Sequence, residues 1–327
     1  MRALVVGASG HLGAHLARAL LDHGFEVRAF VRPSSQTAGL SGLDVEIVTG
    51  DALDQENLRK AMASCRYVFH LAAPTGCDSN AGKIIREGTK AVLDTAASTN
   101  VERVVITSST VTIGYSDQPV ALDENITTHS SVTEYHSAKW QAEQYALEFT
   151  RRGRLPVVVV NPAAIVGSLD YRITPSTAPI QRCLQSGLPI SFNGGLTIVH
   201  AADVARGHIL AAEHGISGER YILGGDRLTI PDYFALIAEI CGRRGPSLVM
   251  PRSAMLAFGA CGSIARSVGI ATLPFSFRQI SNIAGRYAWY SSEKARAHMG
   301  YRWQPTRIAI ADYVEWVRAG RPGAVTR

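Results

Sequence analysis

The stretch VVGASGHLGAHLARALL, Val5 to Leu21, runs from a pair of valines through three glycines, Gly7, Gly10 and Gly13, into an amphipathic pattern. A strand that turns straight into a helix leaves the first helical N–H groups without partners inside the helix, and these attract an anion. Gly7 then serves the tight turn, Gly10 lets the N–H groups of His11 and Leu12 approach a phosphate, and Gly13 lets the helix lie close on the sheet. The spacing is G-x-x-G-x-x-G rather than G-x-G-x-x-G, so a ligand-free strand-to-helix turn stays open on these residues alone.

Outward from this turn, short β-rich runs alternate with helical patterns: RALVVG then 12–23, EVRAFV then 34–42, VEIVTGD then 54–64, YVFHLAA then 81–99, RVVITSS then 134–151, and PVVVVNP. Runs apolar at nearly every position are expected of parallel strands covered by helices on both faces. The pattern predicts an α/β fold, a Rossmann-type doubly wound parallel sheet with a smaller C-terminal substrate lobe. Residues 1–165 with 196–225 are expected to form the dinucleotide-binding domain, and 166–195 with 226–327 the substrate-binding lobe. Past residue 166 the alternation weakens, and GERYILGG (218–225) and LTIPDYFALIAEICG (228–242) read as a strand and a helix that return to the sheet or close the lobe.

The 327 residues carry 33 basic and 27 acidic side chains, a net charge of +6, with no basic run longer than the RR pairs at 151–152 and 243–244. Scattered arginines make no nucleic-acid footprint, whereas an anionic cofactor or substrate accounts for a mild positive balance. Cys65, Cys77, Cys183, Cys241 and Cys261 are odd in number and widely spaced, which suggests neither a disulfide framework nor a zinc site and points to a reducing cytoplasm. Glycine breaks the N-terminal apolar run too early for a signal peptide. No stretch reaches the roughly 18 apolar residues of a membrane span; AMLAFGACGSIARSVGIATL (254–273) comes nearest but contains Arg266 and three glycines. His11 and His15 stand four apart on the first helix, yet no third ligand follows at a suitable spacing, so no metal is expected.

The second strand, EVRAFVRPSS (26–35), ends in Arg32, where an NAD site would place Asp or Glu against the ribose hydroxyls; an arginine there suits a 2′-phosphate. Asp51, in TGDALD (49–54), suits the adenine amino group, the cap of the next helix, or both. In EYHSAKWQAEQYALEF (134–149), Tyr135 and Lys139 share one helix face. With 11 tyrosines and five lysines in the chain, about 0.2 chance Y-x-x-x-K matches are expected, so this one is informative. An adjacent ammonium and a nicotinamide cation would stabilise the phenolate, and lowering its pKa by three units takes roughly 4 kcal/mol. In RVVITSSTVTIG (103–114), Ser109, with Ser108 and Thr110 as rivals, lies where a hydroxyl can share a substrate's carbonyl oxygen with Tyr135 while negative charge develops on it.

Together with HLAA (70–73), NPAAIVG (161–167), VHAADVARGH (199–208) and GERYILGG, these residues resemble the extended short-chain dehydrogenase/reductase family, the NAD-dependent epimerase/dehydratase superfamily, over nearly the whole chain. Within it the likeness is to the dihydroflavonol-reductase-like branch and most of all to bacterial hopanoid-associated sugar epimerases, through VRP (31–33), VNP (160–162), GERYILGG and GYRW (300–303). The resemblance implies that Gly7, Gly10, His11, Leu12 and Gly13 surround the pyrophosphate, that Arg32 meets the 2′-phosphate, and that Asp51 and Ala52 meet the adenine. It further implies that Leu71, Ala72 and Ala73 flank the ribose and phosphates and that Pro162 and Ile165 line the nicotinamide. Ser109, Tyr135 and Lys139 would form the catalytic triad, with Lys139 also on the nicotinamide ribose. Where many relatives carry N-V-x-G-T in the fourth helix, this chain has IREGT (85–89), so any proton-relay role of that asparagine is absent at Ile85 or met otherwise. The loop PTGCDSNAGK (74–83) looks shortened, which bears on the substrate pocket.

The function expected is an NADPH-dependent oxidoreductase that reduces a ketone or aldehyde to an alcohol, with Tyr135 as general acid. Its partner is a small-molecule carbonyl substrate, and a homodimer is left open. One alternative is an NAD(P)-dependent nucleotide-sugar epimerase or dehydratase, which commonly retains NAD and is disfavoured by Arg32; a dehydratase would also want an acid beside Ser109, where Thr110 and Val111 stand. Another is a dinucleotide-sensing binding protein, which often loses the tyrosine and lysine. Tyr171, Arg182, Phe192, Arg286, Trp289 and Tyr290 are candidate pocket residues that serve equally well as core or surface.

Overall fold

Apolar runs of four to six residues pair side by side in the computed structural model, which describes residues 1–73, 80–126, 133–255 and 284–321. Through the first half, strand and helix alternate as β1 (Arg2–Val6), α1 (His11–Asp22), β2 (Glu26–Val31), β3 (Val45–Thr49), α2 (Gln55–Met62), β4 (Tyr67–His70), α3 (Ala81–Ala97), β5 (Arg103–Thr107), α4 (Glu134–Arg151) and β6 (Val157–Pro162). There follow β7 (Ala164–Val166), α5 (Ala178–Ser186), β8 (Ile190–Phe192), β9 (Gly195–His200), α6 (Ala201–His214) and β10 (Arg220–Leu223). The remaining elements are β11 (Asp226–Thr229), α7 (Ile230–Cys241), β12 (Leu248–Met250), β13 (Tyr287–Ala288), α8 (Glu293–Met299) and α9 (Thr306–Arg318).

Seven strands form a parallel sheet in the order β10-β6-β5-β4-β1-β2-β3. Alternate side chains split between two cores, as the period of a strand requires. Val5, Phe69, Val105 and Val158 pack with Leu16 and Ile209 on the α1/α6 face, while Leu4, Val68, Val104 and Val157 pack with Leu58, Val92 and Ala146 on the α2/α3/α4 face. The chain reverses its winding between β1 and β4. Val6 lies in register with both Phe30 and His70, so the turn after β1 emerges at that switch point, where open α/β sheets bind ligands.

The helix expected over 34–42 shrinks to one 3₁₀ turn at Ala38–Leu40. Pro33 lacks an amide donor, and Gly39 and Gly42 are poor helix formers. In the smaller sheets, β9 is flanked by β11 and β13 and also pairs with β7, and β8 pairs with β12. Thus β10 joins the large sheet, whereas β9, within the span expected for the dinucleotide-binding unit, belongs to the small one. Helix α6 connects them.

Most of the lobe residues singled out for a pocket turn out to carry structure. Tyr290 is buried and donates to the Gly114 carbonyl at 2.8 Å, and Trp289 donates to the Leu228 carbonyl at 3.1 Å. Tyr171 packs edge-on against Trp316 and Phe192 against Phe234, and Arg286 pairs with Asp117 at 3.0 Å. Arg182 is exposed. Cys65, Cys183 and Cys241 are buried free thiols; Cys77, Cys261, most of the loop at 74–83 and the apolar run from 256 onward lie outside the described residues. Among the described residues, no helix is long and apolar enough to cross a membrane, and no group of three or more His, Cys, Asp or Glu side chains could hold a metal.

Candidate active site

The three glycines of the first turn meet different constraints. Gly7 has φ +94°, and a Cβ there would lie 2.8 Å from the Ala72 nitrogen and 2.9 Å from its Cα, so the segment after β4 rests directly on the turn. A Cβ on Gly13 would strike the Gly7 carbonyl oxygen and come within 2.8 Å of Ala8 Cα. Gly10 is different: its Cβ would meet nothing nearer than the Gly7 oxygen at 3.4 Å. Gly10 caps α1 without a side-chain hydrogen bond, and the first turn of α1 contains no acid. No neighbour among the described residues requires a glycine there, and the uncapped amides of the helix's first turn suit a bound phosphate. The residues present therefore fit a dinucleotide's pyrophosphate.

The other residues assigned to a cofactor also lie at the carboxyl edge of the sheet. The Leu71 amide donates to the Val6 carbonyl at 2.9 Å, extending the β1–β4 pairing and carrying Leu71, Ala72 and Ala73 over the turn. Arg32 is exposed just past β2, and no acidic residue follows it before Asp44. Asp51 is exposed beyond β3, next to half-buried Ala52, and its carboxylate accepts from the Leu53 amide at 3.0 Å. It does not cap α2. Asp54 does, accepting from the Glu56 and Asn57 amides at 2.9 and 3.2 Å. Pro162 ends β6, and Ile165 lies half-buried in β7.

Helix α4 begins at Thr133, whose hydroxyl accepts from the His136 amide at 3.2 Å. Tyr135 therefore falls in the first turn and Lys139 one turn later. Lys139 is buried and its ammonium donates to the Thr107 carbonyl, at the end of β5, at 2.7 Å. Burial lowers its pKa to about 8 against the opposing pull of Glu143. Tyr135 packs half-buried against Ile85, Ala138 and Ala142. Burial pushes its phenol up to about 12, and a hydrogen bond with the Ser109 side chain acts the other way. The lowering expected from the neighbouring ammonium is thus not met by the protein alone, because Lys139 is turned toward Thr107. Ile85 offers Tyr135 an apolar surface and no relay.

Of the three hydroxyl rivals, only Ser109 is brought to Tyr135. It is the N-cap of a 3₁₀ turn at Thr110–Thr112, where its Oγ accepts from the Val111 amide at 3.3 Å. Ser108 Oγ is buried without a partner among the described residues, and Thr110 is buried at the start of the 3₁₀ turn.

Sequence reasoning missed a buried polar network behind these groups. Glu143, fully buried one turn after Lys139, accepts from Thr112 Oγ1 at 2.9 Å, Asn161 Nδ2 at 2.7 Å and Arg220 Nη1 at 2.7 Å. Two signals could have found it. Glu143 follows Lys139 at helical spacing on a face otherwise occupied by Ala138, Ala142 and Ala146, and Asn161 ends an unbroken run of valines.

Residues 3–224 match the NAD dependent epimerase/dehydratase family. The chain is 31% identical over 327 residues to "Putative dihydroflavonol 4-reductase" of Synechocystis, covering 95% of this chain and 93% of the relative. It is 32% identical to "Sterol demethylase protein B" of Methylococcus capsulatus, covering 97% and 98%, and 28% identical to "4-hydroxy-2-methyl-3-oxo-4-farnesyl-3,4-dihydroquinoline-1-oxide ketoreductase" of Stigmatella aurantiaca, covering 99% of each. The chain belongs to the NAD dependent epimerase/dehydratase family, the extended short-chain dehydrogenases/reductases, and is an NAD(P)-dependent oxidoreductase.

Proposed function

We propose that this protein is an NADPH-dependent carbonyl reductase that converts a ketone or aldehyde to an alcohol. The observation that carries the reading is the convergence at the end of β5 of Ser109, two residues past Thr107, with Tyr135 and with Lys139, whose buried ammonium donates to the Thr107 carbonyl at 2.7 Å. Reduction begins with a protonated acid beside the carbonyl oxygen. Oxidation of an alcohol, the first step of an epimerase or dehydratase, begins with a base, and burial favours the protonated form of Tyr135. The reductase names of two full-length relatives support the same direction.

In this reading the amides of His11 and Leu12 hold the pyrophosphate, with Gly7 and Gly13 shaping the turn, and Leu71, Ala72 and Ala73 flank the ribose and phosphates. Asp51 and Ala52 face the adenine, and Pro162 and Ile165 line the nicotinamide. Arg32 takes the 2′-phosphate through charge-assisted hydrogen bonds; residues 33–43, which follow it, carry no carboxylate to accept from the ribose hydroxyls, which favours NADPH over NADH. The cofactor, when bound, supplies the hydride to the carbonyl carbon. Tyr135 gives its proton to the carbonyl oxygen, and the Ser109 hydroxyl steadies the charge that grows there. The Lys139 ammonium eases the formation of tyrosinate and holds the nicotinamide ribose. Stoichiometric loss of NADPH absorbance with a carbonyl compound, and deuterium carried from labelled cofactor into the alcohol, are the expected results. Tightly retained NAD with sugar interconversion and no net absorbance change would overturn the proposal in favour of an epimerase.

A further inference from the structure

A fully buried carboxylate is costly to keep, and replacing a buried ion pair by apolar side chains is often neutral or stabilising. Glu143 and Arg220 are such a pair, 2.7 Å apart, with Glu143 fully buried. What distinguishes Glu143 is the origin of its donors. Thr112 comes from the 3₁₀ turn that Ser109 begins, Asn161 from the end of β6, and Arg220 from the start of β10. Asn161 Nδ2 also reaches the Ser109 carbonyl at 3.2 Å and Thr112 Oγ1 at 3.0 Å, and Thr112 Oγ1 lies 2.9 Å from the Ser109 carbonyl. Three acceptors around one amide nitrogen fix its orientation. Arg220 in turn donates to the carbonyls of Glu124 and Ile126, and Glu124 accepts from the Ile222 amide at 2.7 Å. One carboxylate on α4 thus joins the segment that carries Ser109 to the helix that carries Tyr135 and Lys139.

We propose that Glu143 is a positioning residue: through Thr112 and Asn161 it fixes the Ser109 turn against α4, and its charge supports the Lys139 ammonium one turn away. The second part follows from what surrounds Lys139, which is the Thr107 carbonyl at 2.7 Å, buried His70 at the end of β4, and Glu143. Glu143 is the group that favours the charged form, against burial. This inference rests on the reductase reading only for its kinetic arm.

Two variants separate the mechanical from the electrostatic role. Glu143→Gln keeps the shape but removes the charge; Thr112→Val keeps the charge but removes one tie. With lysine labelled at ε-¹³C, the five lysines give few resonances, and Lys139→Gln assigns the one of interest. Glu143→Gln should lower the Lys139 titration midpoint from about 8 by about one pH unit, while Thr112→Val leaves it in place. Both should lower kcat roughly tenfold or more, as misplaced reacting groups do, with KM for NADPH little changed. A purely structural role would lower the melting temperature and leave the lysine titration and the kcat of the folded enzyme as they were. An unmoved midpoint in folded Glu143→Gln, or kcat within twofold of wild type in both variants, would overturn the proposal. Wild-type protein that reduces no carbonyl compound would instead overturn the reductase reading, and the titration, which needs no substrate, would still decide the role of Glu143.

Discussion

Gly10 and Gly13 stand three residues apart at the start of one helix, and the structure gives them opposite reasons to be glycine. A methyl group on Gly13 strikes the Gly7 carbonyl oxygen and crowds Ala8 Cα at 2.8 Å, and both neighbours are backbone, so the turn itself must move. Overpacking of that kind costs roughly 1–3 kcal/mol, of which about 1 kcal/mol is offset by the better helix propensity of alanine. Because the contact is with rigid backbone, a net loss of about 2 kcal/mol is expected for Gly13→Ala. A methyl group on Gly10 meets only the Gly7 oxygen at 3.4 Å, and φ −78°, ψ 166° suits alanine. Gly10→Ala should cost no more than about 0.5–1 kcal/mol, the difference between the two residues as caps. If a pyrophosphate approaches the amides after Gly10, the same methyl group obstructs it, and a tenfold or greater weakening of NADPH, about 1.4 kcal/mol, should follow. Urea unfolding of the ligand-free proteins and a fluorescence titration with NADPH separate the two effects. Wild-type affinity in Gly10→Ala would refute the placement of the pyrophosphate, and an undiminished unfolding midpoint in Gly13→Ala would refute the close approach of helix and turn.

Arg32→Ala should weaken NADPH by roughly 1.5–3 kcal/mol and leave NADH nearly unchanged; equal losses in parallel titrations would count against the 2′-phosphate contact. Tyr135→Phe should lose turnover but still bind NADPH, while Lys139→Met should lose both, and wild-type turnover by Tyr135→Phe on its own substrate would remove Tyr135 from the proton-donating role. Stability should fall with acid. Burial holds His15 and His70 near 3 and His208 near 4, so below about 6.5 the unfolded chain takes up protons that the folded chain refuses, at roughly 2 kcal/mol per histidine by pH 5; an unfolding free energy that stayed flat from pH 7 to 5 would contradict this.

The inner strands of the large sheet were legible because they are buried on both faces, whereas the edge strand β3 is largely exposed. A parallel strand under two layers of helix reads as an unbroken apolar run, and 157–160 is four valines in a row. Tyr135 and Lys139 were legible because a helical spacing of four is local. What escaped was set by contacts between distant segments. TGDALD contains two aspartates three apart, and only the actual start of α2 selects Asp54 over Asp51 as its cap. Three consecutive hydroxyl residues follow β5, and it is the 3₁₀ turn rather than strand alternation that makes Ser109 the cap. Arg220 is 77 residues from Glu143, beyond any local pattern. Tyr290 and Trp289 looked free to line a pocket until the carbonyls of Gly114 and Leu228 claimed them.

The two histidines of α1 show the same distinction between spacing and environment. His11 and His15 lie edge to face, 5.5 Å apart, and the fold adds His200 at 6.2 Å from His15, yet the bonds made are those of neutral donors rather than ligands. His15 Nε2 donates to the Ser168 carbonyl at 2.9 Å. His200 accepts from the Ala202 amide through Nδ1, so its Nε2 carries the proton and donates to Asp312 at 3.1 Å. Asp312, held down to about 2 with hydrogen bonds from His200 and Ser168 opposing its burial, also accepts from the Ser168 amide at 2.7 Å. Ser168 is thus gripped from both sides, by the helix that begins at the glycine turn and by α9. Glu143 ties α4 to the Ser109 turn much as Ser168 ties α1 to α9. In each place a polar group spans two elements that the hydrophobic core alone would let slide, because apolar contacts are non-directional and a hydrogen bond to a single atom is not.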